Sequence, residues 1–314
     1  MMNKPNRVRL IATAAASLTA VLALSACGGS SQAAGTAPSA SGASSVCPNG
    51  EVKFGVEPYE APDKLLPAYQ TLADALGKKL GCTVKVQVVD DYAAEVLAMK
   101  NGKLDLGEFG PLGYVFASQQ AGAEPIASFA DSTGKLSSYK AGIWVPKDSP
   151  IQSIKDLKGK SLALGSNGST SGDALPRFAL KQAGIDEKDV KLDYAGGHPE
   201  ALLALKNGKV DAGEINTQTM TRAVAEGTFK KDDFREIWAS DPIPNDPITI
   251  RKDADPAFKK AVTDAMLQLS PQDMQKVGEF LDIKPAGTLI AVTKDEYKPL
   301  FDLASALNLT EKNL

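Results

Sequence analysis

The run AMKNGKLDLGEF at residues 98–109 returns as ALKNGKVDAGEI at residues 204–215, displaced by 106 positions. Eight of the twelve letters agree, and the differences are Met/Leu, Leu/Val, Leu/Ala and Phe/Ile, all apolar for apolar. Such a repeat reads as an internal duplication. The chain is therefore confined to folds assembled from two copies of one unit.

The residues around each copy define the unit. VKFGV (52–56) reads as a strand, LLPAYQTLADALGKKLG as a helix closed by Gly81, TVKVQVV as a strand, AAEVLAMKNG as a helix and KLDLGEF as a strand. The second half gives SLALG (161–165), GDALPRFALKQAG, VKLDYA, PEALLALKNG and KVDAGEI in the same order. Both halves are βαβαβ, so the expected class is α/β, two-lobed, with open parallel sheets whose ligands bind beyond the carboxyl ends of the strands. GIWVP (142–146) and REIWAS (235–240) flank the second unit and are expected to be the hinge strands. The expected division is lobe 1 at 49–140 plus 241–314 and lobe 2 at 141–240. In this reading the repeated phrase is scaffold: a helix end, a Gly turn and the next strand, with solvated Lys and Asn. Sliding the copies into register sets His198 over Tyr92, each just ahead of its helix at the carboxyl end of a strand. Matching helix starts in opposed lobes would converge on one cleft.

The amino terminus carries different information. Lys4, Arg7 and Arg9 precede an uncharged apolar run at residues 10–26, the pattern of a secretory signal. It ends in Leu24-Ser25-Ala26-Cys27, which resembles the lipobox of bacterial lipoproteins and implies cleavage before Cys27 and lipid on that residue. A plain membrane anchor is the alternative, although about 17 residues is at the short limit for spanning. GGSSQAAGTAPSASGASS follows, and residues 27–48 read as a flexible tether. Without residues 1–26 the chain carries 32 basic and 38 acidic side chains, formal charge −6, and nothing resembles a nucleic-acid footprint. The remaining cysteines, Cys47 and Cys82, each precede a β-rich run. If those runs are neighbouring parallel strands, both sulfurs lie at one sheet edge and a disulfide is expected in an exported protein; two unpaired thiols are the alternative.

Asn167-Gly168-Ser169-Thr170-Ser171-Gly172 follows the strand SLALG and opens a helix. Its hydroxyls, free N–H groups and positive dipole end form an anion site without a lysine; helix capping is the plainer reading. His198 is the only histidine and sits after Gly196-Gly197 at a helix start. No His pair or Cys cluster offers metal ligation, and no cofactor is implied. Ser169 or Ser171 with His198 and an acid suggests a hydrolytic triad, but no nucleophile elbow is present, so an enzyme is not expected.

These pieces, in order, resemble the extracytoplasmic phosphate/phosphite/phosphonate-binding proteins of ABC transporters. The matching runs are VKFGVEPYE, DYAAEVLAMKNGKLDLGEFGPLGY, YKAGIWVPKDSPIQSIKDLKGKSLALGSNGSTSG, AGGHPEALLALKNGKVDAGEINT and SDPIPNDPITIRKD, covering most of residues 52–253. The resemblance implies a periplasmic-binding-protein-like type II fold and a monomer that delivers a small phosphorus oxyanion to a permease and its ATPase. It implies that Tyr92 and Tyr139 donate phenolic hydrogen bonds, that Ser169, Thr170 and Ser171 hold the oxyanion, and that His198 donates from the other side. Asp246 would accept from a protonated ligand oxygen, which rejects proton-free oxyanions such as sulfate and weakens binding as pH rises through the ligand's second ionisation. Family members that bind aminoalkylphosphonates carry an acid where this chain has Gln218, which favours phosphite, methylphosphonate or phosphate here; Glu214 is the alternative acid. A lipoprotein serving a membrane sensor kinase, or a binder of another small anion, is the competing reading.

Overall fold

A computed structural model describes residues 46–310 of the 314. The signal, Cys27 and most of the tether lie outside the described residues. The chain begins with β1 (Glu51–Val56), α1 (Pro62–Leu80), β2 (Thr83–Val88), α2 (Tyr92–Lys100), β3 (Leu106–Glu108), α3 (Pro111–Gln120) and β4 (Glu124–Asp131). After β5 (Ser138–Tyr139) come β6 (Gly142–Pro146), β7 (Ser161–Leu164), α4 (Leu175–Gln182), β8 (Lys191–Tyr194), α5 (His198–Lys206), β9 (Ala212–Glu214), α6 (Thr217–Ala225) and β10 (Phe234–Ala239). The chain then returns through β11 (Ile243–Pro244), β12 (Ile248–Ile250), α7 (Pro256–Leu267), α8 (Pro271–Phe280), β13 (Ala286–Ile290) and α9 (Lys298–Ala306).

Two sheets result. One has the order β13-β4-β12-β3-β1-β2 and the other β10-β6-β9-β7-β8. In each, the first strand of the βαβαβ unit pairs in parallel with the second and third, and an antiparallel strand closes onto the third: β12 on β3, β6 on β9. Phe54, Leu72 and Phe258 centre the core under the first sheet, and Ile143, Leu162 and Leu180 that under the second.

The repeated phrase performs the same local work in both. Gly102 and Gly208 adopt φ of 64° and 63°, the left-handed conformation that ends α2 and α5 and that only glycine takes freely. Asp105 then accepts the backbone N–H of Lys53 at 2.9 Å, and its counterpart Asp211 accepts that of Ser161 at 2.8 Å. Each Asp thus ties the third strand to the first before the ladder begins.

The crossing between sheets differs from expectation. GIWVP and REIWAS are β6 and β10, paired with each other inside the second sheet, with Arg235 opposite Val145. Ile143 and Val145 bury in that core, so both runs are built into the second sheet. The chain crosses instead at the two-stranded β5–β11 ribbon.

Contacts across the cleft hold the lobes together. Arg222 on α6 pairs with Glu60 of the first lobe, donates to the Phe280 carbonyl at 3.1 Å and lies 4.5 Å above the Phe280 ring. Lys64 and Glu226 form a second ion pair at 3.7 Å.

Cys47 and Cys82 form a disulfide across 35 residues, placed by the parallel register of Glu51 with Thr83. Its removal by Cys47→Ala with Cys82→Ala should cost about 3 kcal/mol and lower the thermal midpoint by roughly 5–10 °C. Calorimetry against the oxidised protein checks this, and an unchanged midpoint would deny the bridge any stabilising part. Arg222→Ala should loosen the closed arrangement and enlarge the radius of gyration in solution scattering. An equal radius would mean that this ion pair does not hold the lobes.

Candidate functional site

The eight ligand residues expected from sequence, Tyr92, Tyr139, Ser169, Thr170, Ser171, His198, Gln218 and Asp246, all line one cavity between the lobes. Its volume is only ≈ 20 Å³, well below that of a typical ligand pocket, so the side chains around it nearly fill the space. Glu57, Tyr59, Gly110 and Asn216 complete its wall.

The second lobe contributes a turn and a helix start. Gly168, at φ 81°, turns the chain after β7, and residues Thr170–Ala174 form one π-helical turn ahead of α4. Ser169 caps it, its Oγ accepting the Gly172 N–H at 3.0 Å. A Cβ at Gly172 would lie 3.0 Å from His198 Cε1 and 3.2 Å from the Gly165 Cα, so glycine is what lets this turn close onto the histidine. His198 opens α5 and is fixed on both sides: Nδ1 is 2.7 Å from Glu214 Oε2, and Nε2 is 3.3 Å from Ser171 Oγ. Burial opposes charge on the ring, but the adjacent Glu214 carboxylate outweighs it and Glu60 adds to it, so the His198 pKa is raised. Glu214 is fully buried behind the imidazole and does not line the cavity. It orients His198 and leaves Nε2 facing the cavity.

Ser171, His198 and Glu214 share the connectivity of a hydrolase triad. Ser171 lies within the first turn of a helix, however, not at the apex of a strand-to-helix elbow.

The first lobe supplies acids and phenols. Burial raises the Tyr92 and Tyr139 hydroxyls well above their ordinary range, aided by Glu57 for the former and Asp246 for the latter, so both remain O–H donors. The Tyr92 hydroxyl lies beside Ser169, and the Tyr139 hydroxyl beside Ser171 and Thr170, so donors from the two lobes already meet. Thr170 also bridges the lobes by accepting the Leu112 N–H at 2.9 Å. The segment carrying Asp246 is pinned beneath the cavity: Ser128 Oγ donates to the carbonyls of Asn245 and Asp246 at 3.1 and 3.0 Å, and Tyr297 donates to the Asn245 carbonyl at 2.8 Å. Gln218 uses its amide nitrogen to reach Asn245 Oδ1 at 2.9 Å and the Leu281 carbonyl at 3.2 Å.

Burial pushes the Asp246 carboxyl up to about 7, against a hydrogen bond from Glu108 and the charge of His198, both of which lower it. Glu57, 1% exposed, accepts the Gly110 N–H at 2.7 Å and is raised well above the carboxylate range by burial and by Glu95. Glu57, Tyr59, Glu95, Glu108 and the orienting role of Glu214 are what sequence reasoning missed. The available signal was the Glu shared by both copies of the repeated phrase, at the carboxyl end of a strand where ligands bind.

Residues 54–297 match the family model for the periplasmic substrate-binding protein of phosphonate ABC transporters. The chain is 29% identical over 230 residues to the phosphonates-binding periplasmic protein of Escherichia coli (strain K12), covering 72% of this chain and 68% of that protein. It is 30% identical over 197 residues to the phosphate-import protein of Mycolicibacterium smegmatis, covering 59% and 61%. A Prochlorococcus marinus (MIT 9301) protein solved in complex with methylphosphonate superposes with a TM-score of 0.73 at 23% identity, covering 82% of this chain and 98% of that one. The fold is thus that of the type II periplasmic binding proteins, and the chain belongs to the phosphonate substrate-binding proteins, the non-enzymatic receptor component of an ABC importer.

Proposed function

We propose that this protein is a lipoprotein, anchored to the outer face of the cell membrane by acyl chains on Cys27, that carries phosphite, methylphosphonate or phosphate to its permease as a monomer. Lobe 1 (49–140 and 241–314) and lobe 2 (141–240) close on the ligand about the β5–β11 ribbon. The observation that carries the reading is the meeting of uncharged donors from both lobes with the carboxyl of Asp246 in a single small cavity, whose other acid is Glu57.

In this reading Tyr92 and Tyr139 donate through their phenols. Ser169, Thr170 and Ser171 donate hydroxyls and helix-start N–H groups, and His198 donates from Nε2. Asp246 holds a proton in common with one ligand oxygen, and an oxyanion that brings none binds only if the protein supplies that proton. The named ligands of the two curated relatives, phosphonates and phosphate, are both small phosphorus oxyanions. Asp246 is committed to the phosphorus group, so an ammonium elsewhere on the ligand meets the neutral Gln218. Gln218 is engaged with Asn245, and burial raises the Glu57 carboxyl well above its ordinary range, which disfavours the charged form an ammonium needs.

His198→Ala and Asp246→Ala should each weaken methylphosphonate binding at least about tenfold, roughly 1.4 kcal/mol. Unchanged calorimetric affinity in both would reject the assignment. Methylphosphonate should bind at least about tenfold tighter than 2-aminoethylphosphonate, and the reverse order would point to an unrecognised cation subsite. The pH dependence has one sign. His198 keeps its cation above the ordinary imidazole value and loses it as pH rises, while the contact between Asp246 and ligand loses its last proton in the same direction. Affinity should therefore hold near neutrality and fall on the alkaline side; affinity that rises with pH would overturn this.

A further inference from the structure

Beneath the cavity, two carboxyl groups of the first lobe face each other with no cation between them. Glu108 is the last residue of β3 and is fully buried; Asp246, 7% exposed, precedes β12, whose Ile248 lies opposite Glu108 in the antiparallel ladder. Glu108 Oε1 accepts the Tyr69 hydroxyl at 2.7 Å, and Tyr69 is itself 3.0 Å from the Tyr59 hydroxyl at the cavity wall. Glu108 Oε2 is buried and receives no N–H or O–H. Its neighbour is the Asp246 carboxyl, placed to hydrogen-bond with it once one of the two carries a proton. Two carboxylates cannot form such a bond; one proton between them satisfies both.

The surroundings favour keeping that proton. The titratable groups facing the pair are Glu57 beyond β1, Glu95 on α2, His198 on α5 and the phenols of Tyr59, Tyr69, Tyr92, Tyr139 and Tyr297. His198 is the one base among them, and its pKa is raised. Burial and the Asp246 charge raise Glu108 well above the carboxylate range.

We propose that Glu108 is a positioning residue of the binding site, holding the proton that lets Asp246 meet both the singly and the doubly ionised forms of a phosphorus oxyanion. The inference rests on the reading of the cavity as a phosphorus-oxyanion site. With a monoanion, the proton stays on Glu108 Oε2, and Asp246, stabilised as a carboxylate, accepts from the ligand P–OH. With a dianion, the proton moves from Glu108 to Asp246, which donates to the ligand. The Glu108 carboxylate left behind is then stabilised by the Tyr69 hydroxyl on Oε1. Only O–H bonds change, and no proton is drawn from solvent. Asp246 acting alone would need a proton from the ligand or from water, so the alkaline fall in affinity would begin at the ligand's second ionisation. With Glu108 it begins later.

The test counts protons. Calorimetric titration of methylphosphonate, at a pH where it is a dianion and in buffers of differing ionisation enthalpy, gives the uptake on binding. Taking the difference between variants cancels any uptake by His198. Glu108→Gln should take up about one proton more than the wild type, and its affinity should fall about tenfold more per pH unit. Tyr69→Phe, a second variant with a smaller demand on folding, removes the donor from Oε1 and should shift uptake in the same direction. Equal uptake and parallel pH profiles in wild type and in whichever variants fold would overturn the proposal. A wild-type protein that binds neither methylphosphonate, phosphite nor phosphate would remove the site reading itself and the inference with it, a result distinct from binding with unaltered proton count.

Discussion

A closed cavity in which carboxyl groups outnumber cations can persist only if some of those carboxyls keep their protons. Glu57, Glu95, Glu108 and Asp246 gather under one side of the cleft, and two unit charges about 4 Å apart would repel by about 4 kcal/mol even at an effective dielectric constant of 20. Protonation relieves this, and every one of the four is raised from its ordinary value, with burial the largest cause. An anion enters such a place only where hydrogen is presented without much charge. Phenols, hydroxyls and helix-start amides meet that condition, and a strongly basic wall would have been quenched by the acids around it. The one imidazole is coupled to its own carboxylate, Glu214, which keeps the ring oriented as a donor.

The duplication shows how one unit was put to two uses. Gly102 and Gly208 end the helices alike, and Asp105 and Asp211 tie neighbouring strands alike. Glu108 and Glu214, which follow at the same interval, face different partners. Glu214 looks toward the helix start on its own lobe and meets His198, whereas Glu108 looks toward α1 and meets Tyr69 and Asp246. At the position where the second copy has His198 the first has Tyr92, so there is no ring nitrogen for Glu108 to orient. The scaffold residues kept their roles because backbone geometry is the same in both lobes; the acids diverged because their neighbours did.

Periodicity made the βαβαβ units legible, since strands such as SLAL and helices such as PEALLALK carry unambiguous apolar spacing. The eight cavity residues were legible from the register of the two copies together with the family likeness. The β5–β11 ribbon was not, because two-residue strands have no period to detect, and the stronger runs GIWVP and REIWAS drew the hinge to themselves. Glu108, and the part Glu214 plays in orienting His198, escaped for a related reason. A glutamate closing a strand carries no sign in the sequence of whether it is buried or which neighbours it faces. β3 and β9 are interior strands, paired on both sides and covered by helices, so no face is exposed.

Closure joins the two halves of the site, and they differ in how far each is built beforehand. The Asp246 segment hangs from Ser128 and Tyr297, both belonging to the first lobe, so its acid floor does not depend on the second. The serine-threonine turn and His198 are likewise complete within the second lobe, held by Ser169, Gly172 and Glu214. What closure adds is contact between finished parts: Thr170 with the Leu112 amide, Gln218 with Asn245, Arg222 with Glu60. A ligand held by donors from both parts favours the closed form by its differential contacts alone. It need not remodel either part, and a small tetrahedral anion with few contacts to offer can still shift the equilibrium.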